Sequence, residues 1–315
     1  MNKLYLLLLV VICAALLSAC QKKEAKAPAV KRLTVVTTLF PLYDFARAIG
    51  GEKADVTLLL PPGIEPHTFQ PKPADAMNMN KADIFVYTNE YMEPWAKSFL
   101  NGLPTANIMV VDTSKGVTLQ KAGPEEEGEE AEHGDHHHGD KDPHIWLDFA
   151  NAQIMVDNIL SAMVAKDPAN RDYYTGRASA YKAELQKLDD EYKAGLSRCG
   201  KKVFLHGGHY AFGYLAKRYG LKYLSASAVN ADAEPTPGKM AELIKLMRST
   251  GLKYVYSEEL LSPRSAETIA KESGATVLLL HGAHNISRDD LAGGVTFIAL
   301  MKKNLENLRT GLECR

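Results

Sequence analysis

From residue 33 onward, short apolar runs alternate with stretches whose apolar residues recur every three or four positions. LTVVTT (33–38) reads as a buried strand. In FPLYDFARAIG, Leu42, Phe45, Ala46 and Ile49 share a helical face that ends at Gly50-Gly51. DVTLLL is a strand stopped by Pro61-Pro62-Gly63. A helix near 73–81, the strand ADIFVYT, a helix near 92–101 and the strand NIMVVD follow. The second half repeats the order. Strands KKVFLH, KYLSAS, KYVYSEE and TVLLLH alternate with helices over 210–219, 237–249, 263–273 and 295–312. This alternation predicts an α/β protein of two similar (β/α) lobes on parallel, four-stranded sheets.

Between the halves, Pro168 to Arg198 places Tyr174, Ala178, Tyr181, Leu185, Leu188 and Tyr192 at three- and four-residue steps. Pro168 suits a first helical turn. Gly176 and Gly195 are the weak points of the pattern. A continuous helix here would run ~45 Å at 1.5 Å per residue, a stiff strut that favours small local rearrangement over wide lobe closure. The expected organisation is a first lobe over 33–165, a connecting helix over 166–199 and a second lobe over 200–315.

The N-terminus has a different pattern. Lys3 precedes an apolar run from Leu4 to Leu17, shorter than the ~20 residues of a spanning helix. This is the layout of an export signal over 1–19. It ends in Leu17-Ser18-Ala19-Cys20, which resembles a bacterial lipobox with Cys20 as the lipidated residue. Residues 20–32 then form a polar, lipid-anchored tether that leaves the folded part in water. The expected location is extracytoplasmic, at the periplasmic or outer face of a membrane. With Cys13 in the signal and Cys20 lipidated, Cys199 and Cys314 remain. An oxidising compartment permits a disulfide between them, the alternative being two free thiols.

Formal net charge is −1, so no global basic field points to nucleic acid. Charge is concentrated locally. Between Pro124 and Asp142, His133, His136, His137 and His138 sit among closely spaced carboxylates with no apolar periodicity. Such a segment cannot bury surface and is expected to be disordered without metal. It attracts cations and can bind them weakly.

The other histidines follow the fold. His67 lies in the loop after the second strand. His206 and His209 lie in FLHGGHYAF, and His281 and His284 in LLLHGAHN, at the ends of strands. His144 follows Asp-Pro at the start of an apolar segment. Ligands of open parallel sheets bind beyond the carboxyl ends of the strands, so separate segments deliver imidazole to the face where the lobes meet. A nitrogen-rich tetrahedral set favours zinc over manganese, with copper and nickel allowed by ligand type. Within each pair, spacing alone leaves open which imidazole binds and which only supports. His209 is expected to open the helix that follows it.

GIEPHTFQPKP, DPHIWLDFANAQIMVDNI, HYAFGYLAKRYGL, the Ser-Ala to Thr-Pro stretch over 227–237 and LMKKNLENL together resemble the metal-binding lipoproteins of zinc and manganese ABC importers, the zinc-uptake type above all. The resemblance covers nearly all of 33–310. It implies two lobes, a long connecting helix and one ion in the inter-lobe cleft, carried as cargo to a membrane permease by a monomeric protein. His67, His144 and His209 fall on family ligand positions. The fourth position, usually Asp, follows the last strand's apolar run. Here that place holds His281, with His284 or a water as alternatives. Glu65, His206 and His284 are candidates for support behind the ligands. The resemblance also admits a manganese-binding or adhesin-like member. A zinc hydrolase, with an open metal position and Glu65 as base, is the rival from another class.

Overall fold

The computed structural model describes residues 31–102, 107–123, 141–229 and 235–315. Cys20 and the four histidines of the acidic insert lie outside them, as do the expected signal and most of the tether. Among the described residues no helix is long and apolar enough to cross a membrane.

The first sheet is built from β1 (Leu33–Thr37), β2 (Ala54–Leu58), β3 (Ile84–Tyr87) and β4 (Met109–Asp112), in the order β2-β1-β3-β4. All its pairings are parallel. The second repeats this layout with β5 (Val203–His206), β6 (Lys222–Ser225), β7 (Tyr254–Ser257) and β8 (Thr276–Leu279), ordered β6-β5-β7-β8, again parallel. Parallel neighbours need a crossover, and the helical stretches supply it. In the first lobe these are α1 (Phe40–Gly50), α2 (Pro73–Met79) and α3 (Trp95–Asn101), with α4 (Phe149–Lys166) closing it.

The connecting helix α5 spans Arg171–Ser197, 27 residues or about 40 Å. It starts later than its pattern suggests, because Pro168–Asn170 forms a separate 3-10 turn after α4. The second lobe carries α6 (Gly213–Arg218), α7 (Pro237–Thr250), α8 (Arg264–Ser273), α9 (Arg288–Ala292) and α10 (Phe297–Gly311). Helix α6 is shorter than the expected 210–219. The amides of Tyr210 and Ala211 are already engaged, donating to Ala228 O at 3.0 Å and Tyr223 Oη at 3.1 Å. His209 therefore sits in a loop and does not open the helix.

Helix α5 packs against α1 and α4 of the first lobe and α10 of the second. The largest apolar cluster runs through both lobes, joining Phe45, Phe149, Tyr192, Phe212, Phe297 and Leu308. Phe45 and Phe297 meet edge to face at 5.2 Å across the junction. Polar ties reinforce it. Asp44 of α1 accepts from Tyr181 Oη of α5 at 2.8 Å and from the Phe297 amide of α10 at 3.0 Å. Arg218 of α6 forks onto Asp189 of α5 at 2.7 and 2.6 Å and reaches Asp148, the N-cap of α4, at 2.8 Å. Burial works against the Asp189 charge, but Arg218, Lys193 and Tyr219 outweigh it and hold the carboxyl at about 2. Cys199 and Cys314 form a disulfide that joins the end of α5 to the end of α10. The lobes therefore form one compact body from Leu33 to Arg315.

Candidate metal centre

Four imidazoles converge between the carboxyl ends of the two sheets. His67, His144, His209 and His284 each offer a ring nitrogen, and these nitrogens lie within 4.8 Å of one another. His144 Nε2 is 3.3 Å from His67 Nε2 and 3.4 Å from His209 Nε2. Ring centroids of the four lie between 4.8 and 5.8 Å apart. His144, His209 and His284 are buried and His67 half-buried.

Each ring is held from behind. His67 rides on the proline-bounded loop after β2, where Glu65 Oε2 accepts from the Thr68 amide at 3.1 Å and so closes a tight turn around it. His144 Nδ1 is 2.7 Å from Asp142 Oδ1, which also accepts the His144 amide at 3.0 Å. His209 Nδ1 is 2.6 Å from Glu258 Oε2, and its amide donates to Glu258 Oε1 at 3.1 Å. His284 Nδ1 lies 3.6 Å from Glu259 Oε1. Trp146 packs edge-on against both His144 and His284, and its Nε1 donates to Gly282 O at 2.8 Å.

Two glycines make room for these contacts. A Cβ at Gly208 would fall 1.8 Å from Glu258 Oε1, and one at Gly282 2.4 Å from His284 Nδ1. No other residue type fits either place without moving a group of the site.

Burial, then the charges of neighbouring imidazoles, pushes His67 and His144 well below the ordinary histidine value. Burial would also lower His209, but Glu258 outweighs it and leaves this ring raised. Glu258 is correspondingly lowered, its burial overcome by His209. Burial pushes Asp142 up to about 8.

His281 does not join the group. Its Nδ1 faces Glu259 Oε1 at 3.2 Å and accepts the Ala283 amide at 2.9 Å. Its own backbone is clamped by Asn304, through bonds of 2.8 and 2.7 Å. The chain then turns through Ala283 in the left-handed region, φ 59°, and this turn brings the His284 ring into the cleft. His206, the last residue of β5, also stays outside. Its Nδ1 accepts the Gly208 amide at 3.3 Å, its ring packs on Phe212, and burial lowers it to about 4. Glu65 is hydrogen-bonded within its own turn, yet it lines the same small cavity as His209 and His284, and its charge adds to that of Glu258 in raising His209.

Asp142 is a correction to the expected insert of 124–142. It is fully buried beside His144, while Lys141 bridges back to Lys121. Glu258 and Glu259 carry no motif of their own. They follow β7 directly, so the strand-end rule that singled out the histidines applies to them as well.

The sequence profile of the family described as ZnuA, zinc-uptake complex component A, periplasmic, matches residues 35–311. The chain belongs to this family. It is 38% identical over 309 residues to the high-affinity zinc uptake system protein ZnuA of Bacillus subtilis, covering 97% of each chain. It is 36% identical over 305 residues to the zinc-binding lipoprotein AdcA of Streptococcus pneumoniae, covering 96% of this chain but 60% of AdcA. The Zn(II)-bound ZnuA-like domain of that protein superposes with a TM-score of 0.76 at 32% identity, covering 90% of this chain and all of that domain. The laminin-binding protein Lmb of Streptococcus agalactiae, described as an adhesin with metal-transporting activity, superposes at 0.78 and 30% identity, covering 90% of this chain and 100% of Lmb. The two-lobe architecture is thus that of ZnuA-like proteins.

The donor set suits this family's cargo. The inward-facing nitrogens are all imidazole, which zinc accepts in tetrahedral array. The carboxylates behind them hold ring orientation and supply the negative charge that four neutral ligands lack. The buried Nε2 of His284 has no hydrogen-bond partner among the described residues and is therefore available as a ligand.

Proposed function

We propose that this chain captures one zinc ion outside the cytoplasm, through Nε2 of His67, His144 and His209 and a nitrogen of His284, and delivers it to an ABC-type importer. The supporting observation is the spacing of the Nε2 atoms. With Nδ1 of His144 and of His209 turned back onto Asp142 and Glu258, their Nε2 atoms are left to face inward, as ligands of one ion must. A tetrahedral zinc with bonds of about 2.0–2.1 Å has nitrogen–nitrogen edges of about 3.3–3.4 Å. The distances between His144 and its two neighbours are 3.3 and 3.4 Å.

His284, in this reading, takes the fourth place that the sequence resemblance put at His281. With four imidazoles around it the ion keeps no open position for water, so a carrier fits better than a hydrolase. The relatives, too, are zinc-binding transport proteins. The proposed partner is the importer's membrane permease, with the chain anchored nearby through lipid on Cys20. The proposed parts are a signal over 1–19, a tether over 20–32, lobes over 33–165 and 200–315, and a connecting segment over 166–199.

X-ray absorption on the protein loaded with one equivalent of zinc tests the reading. Four nitrogen neighbours with imidazole scattering are expected. A shell made chiefly of oxygen overturns it, as does unchanged tight retention in the triple alanine variant at 67, 144 and 209.

A further inference from the structure

The loop that bears His284 belongs to the second lobe by sequence, yet its hydrogen bonds go largely to the first. Phe40, at the start of α1, donates its amide to His284 O at 3.2 Å. Ile286 O accepts the Gly63 amide at 3.0 Å. Between these lies Asn285, fully buried. Its Nδ2 donates to Pro61 O at 2.7 Å and to Ile64 O at 2.8 Å. Its Oδ1 accepts the Ile286 amide at 2.8 Å. One side chain thereby uses both amide protons on the turn that leads into His67, while its backbone neighbours His284.

We propose that Asn285 is a positioning residue for the metal, a latch that holds the His67 loop and the His284 loop in register before the ion arrives. This rests on the reading of the four imidazoles as one zinc site. The two loops come from different lobes and are tied by this side chain together with the Gly63–Ile286 backbone bond. A ligand set assembled from such loops pays an ordering cost on binding unless the loops are already fixed. Pro61 O also accepts the Ile64 amide at 3.2 Å, but only a group with two donors reaches both the Pro61 and the Ile64 carbonyls from this point. An aspartate has the same shape and no donor, so it breaks the latch and sets a carboxylate against two carbonyl oxygens.

A double-mutant cycle on the full chain tests the latch, with zinc affinity measured by competition against a chelator. N285A and N285D are each expected to weaken binding by roughly one to two orders of magnitude, since both lose the two donated hydrogen bonds and N285A loses the accepted one as well. Zinc release into excess chelator is expected to speed up. In the H284A background, where only one of the two latched loops still supplies a ligand, the same substitutions are expected to cost several-fold less. That non-additivity is the signature of action through His284. Equal losses in both backgrounds, or unchanged affinity in N285D, overturn the proposal. N285D keeps the packing volume and covers the case in which N285A folds poorly. If the unmutated chain holds no zinc, the function reading itself has failed. If it holds zinc and the cycle is additive, only the latch has.

Discussion

Nε2 of His144, from the first lobe, stands 3.4 Å from Nε2 of His209, from the second. Each ring is fixed through its other nitrogen by a carboxylate of its own lobe, Asp142 for one and Glu258 for the other. In the proposed site, an ion between them bridges two halves already joined by α5 and a shared core. Alanine at either histidine removes a proposed ligand and leaves its buried carboxylate with the backbone amide of that position but without the ring. We expect each variant to lose more affinity than the roughly 10- to 100-fold typical of outer-partner substitutions, as measured by competition with a zinc chelator.

The carboxylates themselves are the second test. E258Q and D142N keep volume and some hydrogen bonding but remove the charge that orients each ring and raises its basicity. Zinc affinity is expected to fall by about 10- to 100-fold in each, with the coordination number unchanged by X-ray absorption. An unchanged affinity in both shows that they only fill space.

The choice between His284 and His281 is decided by spectroscopy as well as affinity. Cobalt(II) substituted for zinc gives intense visible absorption in a tetrahedral site and weak absorption when waters raise its coordination. H281A is expected to keep the intense bands, because His281 is occupied with Glu259, Ala283 and the Asn304 clamp. H284A is expected to lose intensity as water takes the fourth place.

Proton release follows from the site's charges. Zinc takes neutral imidazoles and is favoured by ionised carboxylates behind them. In the metal-free protein at pH 7, Asp142, raised to about 8 by burial, is mostly protonated. His209, raised by Glu258 against the effect of burial, keeps its proton to higher pH than an ordinary histidine. His67 and His144, lowered by burial, are already neutral. Binding thus expels protons. Because the metal-bound state holds fewer protons than the free one, affinity rises with pH through about 8, where Asp142 is half ionised, and levels off beyond it. Calorimetry at pH 7 in two buffers of different ionisation enthalpy is expected to report net proton release on zinc binding.

Much of this was legible in the sequence, and the reasons differ by element. Strands such as LTVVTT and VLLL are apolar throughout because parallel sheets are covered on both faces, so their order could be read along the chain. His67 and the His206/His209 pair follow strands, so topology carries them to one face, while the preference for His209 over His206 comes from the family resemblance. The choice between His281 and His284 depends on a single left-handed residue, Ala283, and on the bare face of Gly282. No periodicity encodes either. Asp142 was hidden by composition, since it ends a run of carboxylates and only the fold separates it from them. The shortening of α6 depends on partners at Tyr223 and Ala228, remote from the segment that was read.

The disulfide provides a test of whether stability and binding are separable. Cys199 and Cys314 are 115 residues apart in sequence and close the second lobe at its far end, where α5 and α10 terminate. None of the four imidazoles or their carboxylates touches this end in the hydrogen bonds and ion pairs described above. Removing the bridge in the C199S/C314S variant frees the unfolded chain and costs about 2–4 kcal/mol of stability, seen as a lower urea midpoint. Zinc affinity at 25 °C is expected to stay within a factor of about two, because contributions from sites this distant, with no shared partners, are close to additive. A large loss of affinity in a variant that remains folded shows instead that the clamp at the end of α5 sets the geometry of the cleft.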